Sequence, residues 1–292
     1  SPAAAPKKMT GWIPDALIPP DATQGLGGFP VNITPFETAH HHGKKTTIIN
    51  QGFWTDIYLP RNQKEFPAGK YYGKVQVLQM GKIVKEIPLE IDLLPHYLPD
   101  ENHSTVWLFN GGIKAYFPEL SELQVDNMIK FEGHRHRIDM AGGFAVNHTF
   151  FDEKKMNQYK PYLDGTAFTP ANGYHGTGEG IGEKLFPIGV YGAPVMGNSK
   201  SEIQKQADLW VGWFQKNAPG VKYFWYIIDE PNEKLYPWIK ERSGWIKSNS
   251  GIGKSLPVFT TRAYQKELLG AIDIWAGYDG VNVNDLPEIR KA

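Results

Sequence analysis

The hydrophobic rhythm of the chain changes twice. Residues 1–43 carry no helical or strand period, because proline and glycine interrupt them throughout, as in "WIPDALIPPDATQGLGGFPVNITPF". They read as an extended arm lying over a domain. Over residues 44–96 the period is two, in "TTIINQGFWTDIYLP" and then "GKYYGKVQVLQMGKIVKEIPLEIDLL". Val75 and Val77 alternate with polar residues, "QMGK" supplies a hairpin turn, and Ile87, Leu89, Ile91 and Leu93 alternate again. Such alternation predicts antiparallel strands with one covered face, the material of a β-sandwich segment. About four strands fit, against roughly seven in a complete immunoglobulin-like sandwich.

The stretch "LPHYLPDENHS", with two prolines and a polar cluster, marks a boundary, and residues 97–292 then follow a strand–helix rhythm. Strands are predicted over 105–110, 138–147, 185–192, 222–230, 257–261 and 273–280. Helices are predicted over 118–137, 199–217 and from beyond Glu230 through about Ser248, with a long glycine-rich loop before the third strand. Nearly continuous apolar strands alternating with helices point to parallel strands buried on both faces. The expected architecture is a (β/α)8 barrel, of which six strands can be read. The missing strands would then come from a further segment or a second chain.

Composition narrows the partners. Lys plus Arg and Asp plus Glu number 31 each, so the protein's field favours neither nucleic acid nor an anionic membrane, and a neutral partner fits better. Nine Trp, 14 Tyr and 15 Phe lean toward carbohydrate, since flat rings stack on the apolar faces of sugars. There is no cysteine, which removes disulfides, thiolate metal sites and a cysteine nucleophile. No apolar run is long enough to span a membrane, and "SPAAAPKK" has neither the basic region nor the apolar core of a signal peptide. That start reads as a tail left by processing.

The candidate chemistry lies at the end of the fourth strand of the barrel segment, where "YFWYIIDEPNEK" stops on Asp229, Glu230 and Pro231. Catalytic groups of such barrels sit at the carboxyl ends of the strands. The same three residues also make a helix start, with proline in the first turn and negative charge near the positive end of the dipole. Glycosidic hydrolysis needs a proton donor for the leaving oxygen and stabilisation of charge at the anomeric carbon. Two neighbouring carboxyls help keep one of them protonated. Asp229 can only accept hydrogen bonds, so its natural partner is an N–H or a developing cation. The acetamido group of an N-acetylhexosamine offers both, and its carbonyl oxygen can serve as the nucleophile.

From about Trp12 to Gly280 the chain resembles the glycoside hydrolase family 123 catalytic-domain-like proteins, a mostly bacterial group. The resemblance is carried by "WIPDALIP", "AGKYYGKVQV", "HRHRI", "DGTAFTPANGYHGTGEGIG", "IGVYGAP", "YIIDEP" and "PVFTTR". It implies a β-N-acetylgalactosaminidase-like enzyme in which Glu230 is the general acid/base and Asp229 orients the acetamido group. Members of that family usually continue past the sixth strand into segments that help bind sugar, and this chain stops before them. A secreted or cell-envelope setting is expected, with no cofactor.

Asn110, Asn147, His148, Tyr191, Arg262, Trp275 and Tyr278 fall near the same ends of other strands, and Tyr174 and His175 lie in the loop before the third strand. Each is a candidate for touching a sugar hydroxyl or ring, and each alone is more often a packing residue. "GYHGTGEGIG" lacks the spacing of a phosphate-binding loop and is expected to lie over the active-site mouth. The histidines at 40–42 and 134–136 lack ligand spacing, so no metal site is expected. Two other readings stand beside the substrate-assisted one. One is a carbohydrate-binding or extracellular structural protein on the same fold; the other is a retaining glycosidase whose second carboxylate comes from a late strand.

Overall fold

A computed structural model describes residues 57, 59, 64–96, 99–109, 113–141, 150–191, 195–276 and 282–290. The arm at 1–43, and all but Ile57 and Leu59 of the first expected strand, lie outside them. The chain divides into two compact units, Ser1–Tyr97 and Leu98–Ala292.

In the first unit, β1 (Gly69–Gln79) pairs antiparallel with β2 (Lys82–Leu93), from Gly69 opposite Leu93 to Gln79 opposite Lys82. Met80 and Gly81 make the turn with φ of 49° and 76°, and a tight hairpin needs positive φ at both positions. Glycine meets that demand without strain and methionine does not. Register places Val75 opposite Ile87 and Tyr71 opposite Ile91, which gathers the apolar residues on one face. The other face carries the Lys70–Glu90 and Lys74–Glu86 ion pairs, both exposed. The described part of this unit is thus a two-stranded sheet.

The second unit is mixed α/β. Among the described residues its strands are β3 (Trp107–Phe109), β4 (Asp139–Ala141), β5 (Leu185–Ile188), β6 (Lys222–Ile228), β7 (Val258–Thr260) and β8 (Ile274–Trp275). All neighbours are parallel: β3 pairs β4, and β5, β6, β7 and β8 form a four-stranded sheet in chain order. The helices are α1 (Glu122–Arg135), α2 (Glu153–Asp164), α3 (Lys200–Asn217), α4 (Tyr236–Lys247) and the short α5 (Leu286–Ile289). A complete eight-stranded barrel is not present among the described residues.

Two boundaries differ from the sequence pattern for local reasons. Helix α1 starts at Glu122 and not at Pro118, because Ser121 and Gln124 form a reciprocal capping box. Residues 153–164, expected to be loop, form α2, capped by Asp152 and ended by Gly165 in the left-handed conformation. The lysine-rich, polar sequence of α2 hides a narrow stripe of Met156, Tyr159, Tyr162 and Leu163, all buried.

Strand β6 organises the core. Tyr223, Trp225 and Ile227 face the main apolar cluster, shared with α2, α3 and α4, where Ile203, Ala207, Trp210, Val211 and Phe214 of α3 form a buried stripe. Phe224 and Tyr226 face a second cluster with Trp107, Leu185, Val190 and Phe259. Burial on both faces is the normal condition of a parallel strand, and it explains why the strand reads as an unbroken apolar run.

Candidate active site

The pairing of β6 with β7 slips near its carboxyl end. Tyr226 is opposite Phe259 but Ile228 is opposite Thr260, so Ile227 is an extra residue. Such a bulge bends the strand and re-aims the side chains after it. Ile228 packs against the main cluster although Tyr226 belongs to the other one. In a regular strand those two residues would share a face.

Asp229 follows directly. Its Oδ1 accepts the Tyr226 hydroxyl at 2.5 Å and the Thr261 hydroxyl at 2.6 Å. The Glu230 backbone N–H donates to Thr261 Oγ1 at 2.7 Å, and Thr260 Oγ1, one residue earlier on β7, donates to the Ile228 carbonyl at 2.9 Å. Glu230 is held at φ 40°, in the left-handed region. A long side chain reaches that region only at an energetic cost, and such residues cluster at functional sites. Asp229 is half-buried and Glu230 exposed, and none of the described residues bonds the Glu230 carboxylate.

The alternative role of the acidic pair, opening a helix with Pro231 in its first turn, is not what the fold uses. Asn232 caps a short 3-10 turn at Glu233–Leu235 through its side chain, and α4 begins only at Tyr236 with Pro237 in its first turn. Asp229 is committed instead to hydroxyls of β6 and β7.

Of the other candidates, Tyr191 stands beside the Tyr226 ring. It is exposed, has φ of 55°, stands edge-on to Phe109 at 4.7 Å between ring centroids and lies 6.3 Å from the ring of Tyr226. Arg262 follows Thr261, and its Nε is buried with no hydrogen-bond partner among the described residues. Trp275 packs against the main cluster and edge-on to Tyr264, and its Nε1 likewise has no partner among the described residues. Asn110, Asn147, His148 and Tyr278 lie outside the described residues.

Tyr174, His175 and the glycine-rich loop are not brought to this mouth. The loop lies against the carboxyl end of α1, which leads into the start of β4, and so belongs to the amino ends of the strands, the far edge of the unit from the acids. His134 Nε2 is 2.9 Å from the Gly178 carbonyl, and Arg135 Nε donates to the His175 carbonyl at 3.1 Å. Tyr174 is buried among Phe131, His134 and Phe168, with its hydroxyl bonded to the Thr177 carbonyl. His134 itself stacks on Phe168, while His136 is exposed beside Glu132, so the two histidines of "HRH" point to different surroundings. No group of three or more His, Cys, Asp or Glu suited to a metal ion occurs among the described residues.

That far edge holds titratable groups of its own. Lys130 and Glu183, each 2% exposed, form an ion pair at 3.1 Å. Lys130 also donates to the Met140 carbonyl at 2.6 Å and bonds the Tyr159 hydroxyl, which donates to Glu183 at 3.0 Å. Burial pushes the Tyr159 phenol up. Burial, helped by the Glu183 charge, raises Asp139 to about 7, although its carboxylate accepts the Lys184 N–H at 3.0 Å. Burial also lowers His134. Each member has a partner on another element, which describes a polar knot joining α1, α2, β4 and the lead into β5. A cavity of about 540 Å³ opens at the amino ends of the strands, lined by Trp107, Leu185, Phe224, Phe259 and Ile274, away from Asp229 and Glu230.

The sequence pattern singles out Asp229 and Glu230 but not Tyr226 and Thr261, whose hydroxyls bond Asp229. The only signals for them were a tyrosine inside an aromatic run and the doublet "TT" at the end of a strand. Among the described residues no helix is long and apolar enough to cross a membrane. Comparison with protein-family models, with curated proteins and with solved structures gave no match for this chain.

Proposed function

We propose that this chain is a glycoside hydrolase that acts on glycans carrying an N-acetylhexosamine, with retention of configuration and with the substrate's acetamido oxygen as nucleophile. The observation that carries this reading is the loading of Asp229. Two hydroxyl donors occupy Oδ1, which leaves Oδ2 to accept one N–H, while the exposed Glu230 carboxyl beside it has no partner among the described residues. A carboxylate fixed through one oxygen is suited to orienting a secondary amide.

In the first step Glu230 gives its proton to the leaving glycosidic oxygen as the acetamido carbonyl oxygen bonds to the anomeric carbon. Asp229 accepts the amide N–H and stabilises the positive charge that spreads onto the nitrogen. In the second step Glu230 takes a proton from water, which attacks the anomeric carbon and opens the oxazoline. Two inversions give net retention. The finer architecture belongs to the same proposal: the parallel strands as part of a (β/α)8 barrel, and the hairpin as part of a β-sandwich. So do the carbohydrate partner and the secreted or envelope setting.

The test is hydrolysis of aryl N-acetyl-hexosaminides by the full chain and by Glu230→Gln and Asp229→Asn. Each substitution is expected to lower kcat/KM by about 10²–10⁴-fold, and the first product seen by NMR should keep the anomeric configuration of the substrate. Undiminished hydrolysis in Glu230→Gln would sink the reading. Glycan binding without cleavage by the native chain would establish the non-catalytic alternative.

A further inference from the structure

We infer that Thr261 is a positioning residue, which sets the direction of the Asp229 carboxylate and holds Glu230 in its left-handed backbone conformation. The geometry stands by itself; its consequence for turnover rests on the glycosidase reading.

A threonine hydroxyl has one proton and two lone pairs. The proton of Thr261 goes to Asp229 Oδ1 at 2.6 Å, and a lone pair receives the Glu230 N–H at 2.7 Å. Tyr226 stands 3.3 Å from the same oxygen but 2.5 Å from Asp229 Oδ1, so its single proton is better placed on the carboxylate. Both hydroxyl protons are thus spent on one carboxylate oxygen, and the Glu230 N–H is spent on Thr261. With Oδ1 pinned from β6 and from beyond β7, the carboxylate cannot turn about its own bond without breaking two hydrogen bonds. That fixes where Oδ2 points.

Glu230 explains why the anchor sits on the neighbouring strand. After the slip at Ile227 only Ile228 is still paired, with Thr260, and the described ladder goes no further toward Asp229 and Glu230. Thr260 bonds the Ile228 carbonyl and Thr261 bonds the Glu230 N–H. Two consecutive hydroxyls thus stand in for the missing ladder. Without the second, a strained residue would also carry an unpaired N–H.

The experiment uses the full chain with Thr261→Val, which keeps the shape and removes the hydroxyl, and Thr261→Ser, which keeps the hydroxyl. Hydrolysis of an aryl N-acetyl-hexosaminide, thermal unfolding and a crystal structure are measured for each. Thr261→Val is expected to lose on the order of 100-fold in kcat with a smaller change in KM, since misplacement by about 1 Å has that effect. Thr261→Ser should remain within about threefold of the native chain, because it retains the oriented donor. Native turnover in Thr261→Val would overturn the inference, and so would an equal loss in both variants, since turnover would then not follow retention of the hydroxyl. If the native chain cleaves none of these substrates, the glycosidase reading falls and the crystal structures decide. Asp229 turned from its Tyr226 contact, or Glu230 relaxed to negative φ, in Thr261→Val but not in Thr261→Ser supports the positioning role; an unchanged pair in both removes it.

Discussion

Tyr226, on β6, and Asp229, just past its end, are three residues apart, and the hydroxyl of the first donates to the carboxylate of the second at 2.5 Å. In an unbroken strand an odd separation sends two side chains to opposite faces. The extra residue Ile227 reverses the parity, and the acid joins the face that carries Tyr226.

Tyr226→Phe removes one of the two donors on Asp229 Oδ1 and leaves Thr261 in place. We expect a loss of about tenfold in kcat/KM, a share of the effect of losing one preorganised donor. Combined with Thr261→Val, the losses should fall short of the product of the two single effects, because loss of the Thr261 hydroxyl already releases the carboxylate that Tyr226 helps to hold. A double-mutant cycle on aryl N-acetyl-hexosaminide hydrolysis checks this, and strict additivity would refute it.

Lys130→Met leaves Glu183 buried without its cation. The expected cost is about 3–5 kcal/mol, the usual result of breaking a buried pair from one side. Removing both charges, in Lys130→Met with Glu183→Leu, should recover part of that loss despite the unpaired Tyr159 hydroxyl. Urea unfolding of the three chains gives the comparison.

The pH dependence of stability should carry the mark of Asp139, whose carboxyl is raised from 3.8 to about 7 by burial and by Glu183. Between those values the folded protein holds a proton that the unfolded chain has released. The contribution is therefore complete below about pH 4 and is lost as pH rises through 7. Asp139→Asn stays neutral and keeps an acceptor for the Lys184 N–H. Relative to the native chain it should gain stability from pH 4 to pH 7, by about 4 kcal/mol at most. His134 works with the opposite sign, since burial lowers it from 6.5 and its contribution is lost as pH falls below that value. Its acid limb should persist in Asp139→Asn. Unfolding midpoints across the pH range separate the two.

A methyl group on Gly182 would sit 2.0 Å from the Leu163 carbonyl oxygen and 2.6 Å from its carbon, both backbone atoms at the end of α2. Gly182→Ala must therefore move one segment away from the other, at a cost of about 3 kcal/mol or more. Because this contact is on the far edge of the unit from the acids, kcat/KM at a temperature where the variant is folded should stay near native. A selective loss of turnover would return the loop to the active-site mouth.

The order of elements in both units was legible because period carries it. The apolar run of β6, the alternation in β1 and β2 and the stripe of α3 each answer to residues a few positions apart. Asp229 and Glu230 were legible for the same reason, as acids that end an apolar strand. Helix α2 was missed because its buried stripe is four residues wide in a polar sequence.

What tertiary structure decided depends on contacts far along the chain. Thr261 reaches Asp229 across 32 residues, and His134 fixes Gly178 across 44, which places the glycine-rich loop and Tyr174 at the edge opposite the acids. No local period records which strand lies beside β6 or where its pairing slips. The sequence by itself determined that two acids would stand at a strand's end. Only the packing of β7 against β6 decided which way they face, because one unpaired residue is enough to reverse a side chain's direction.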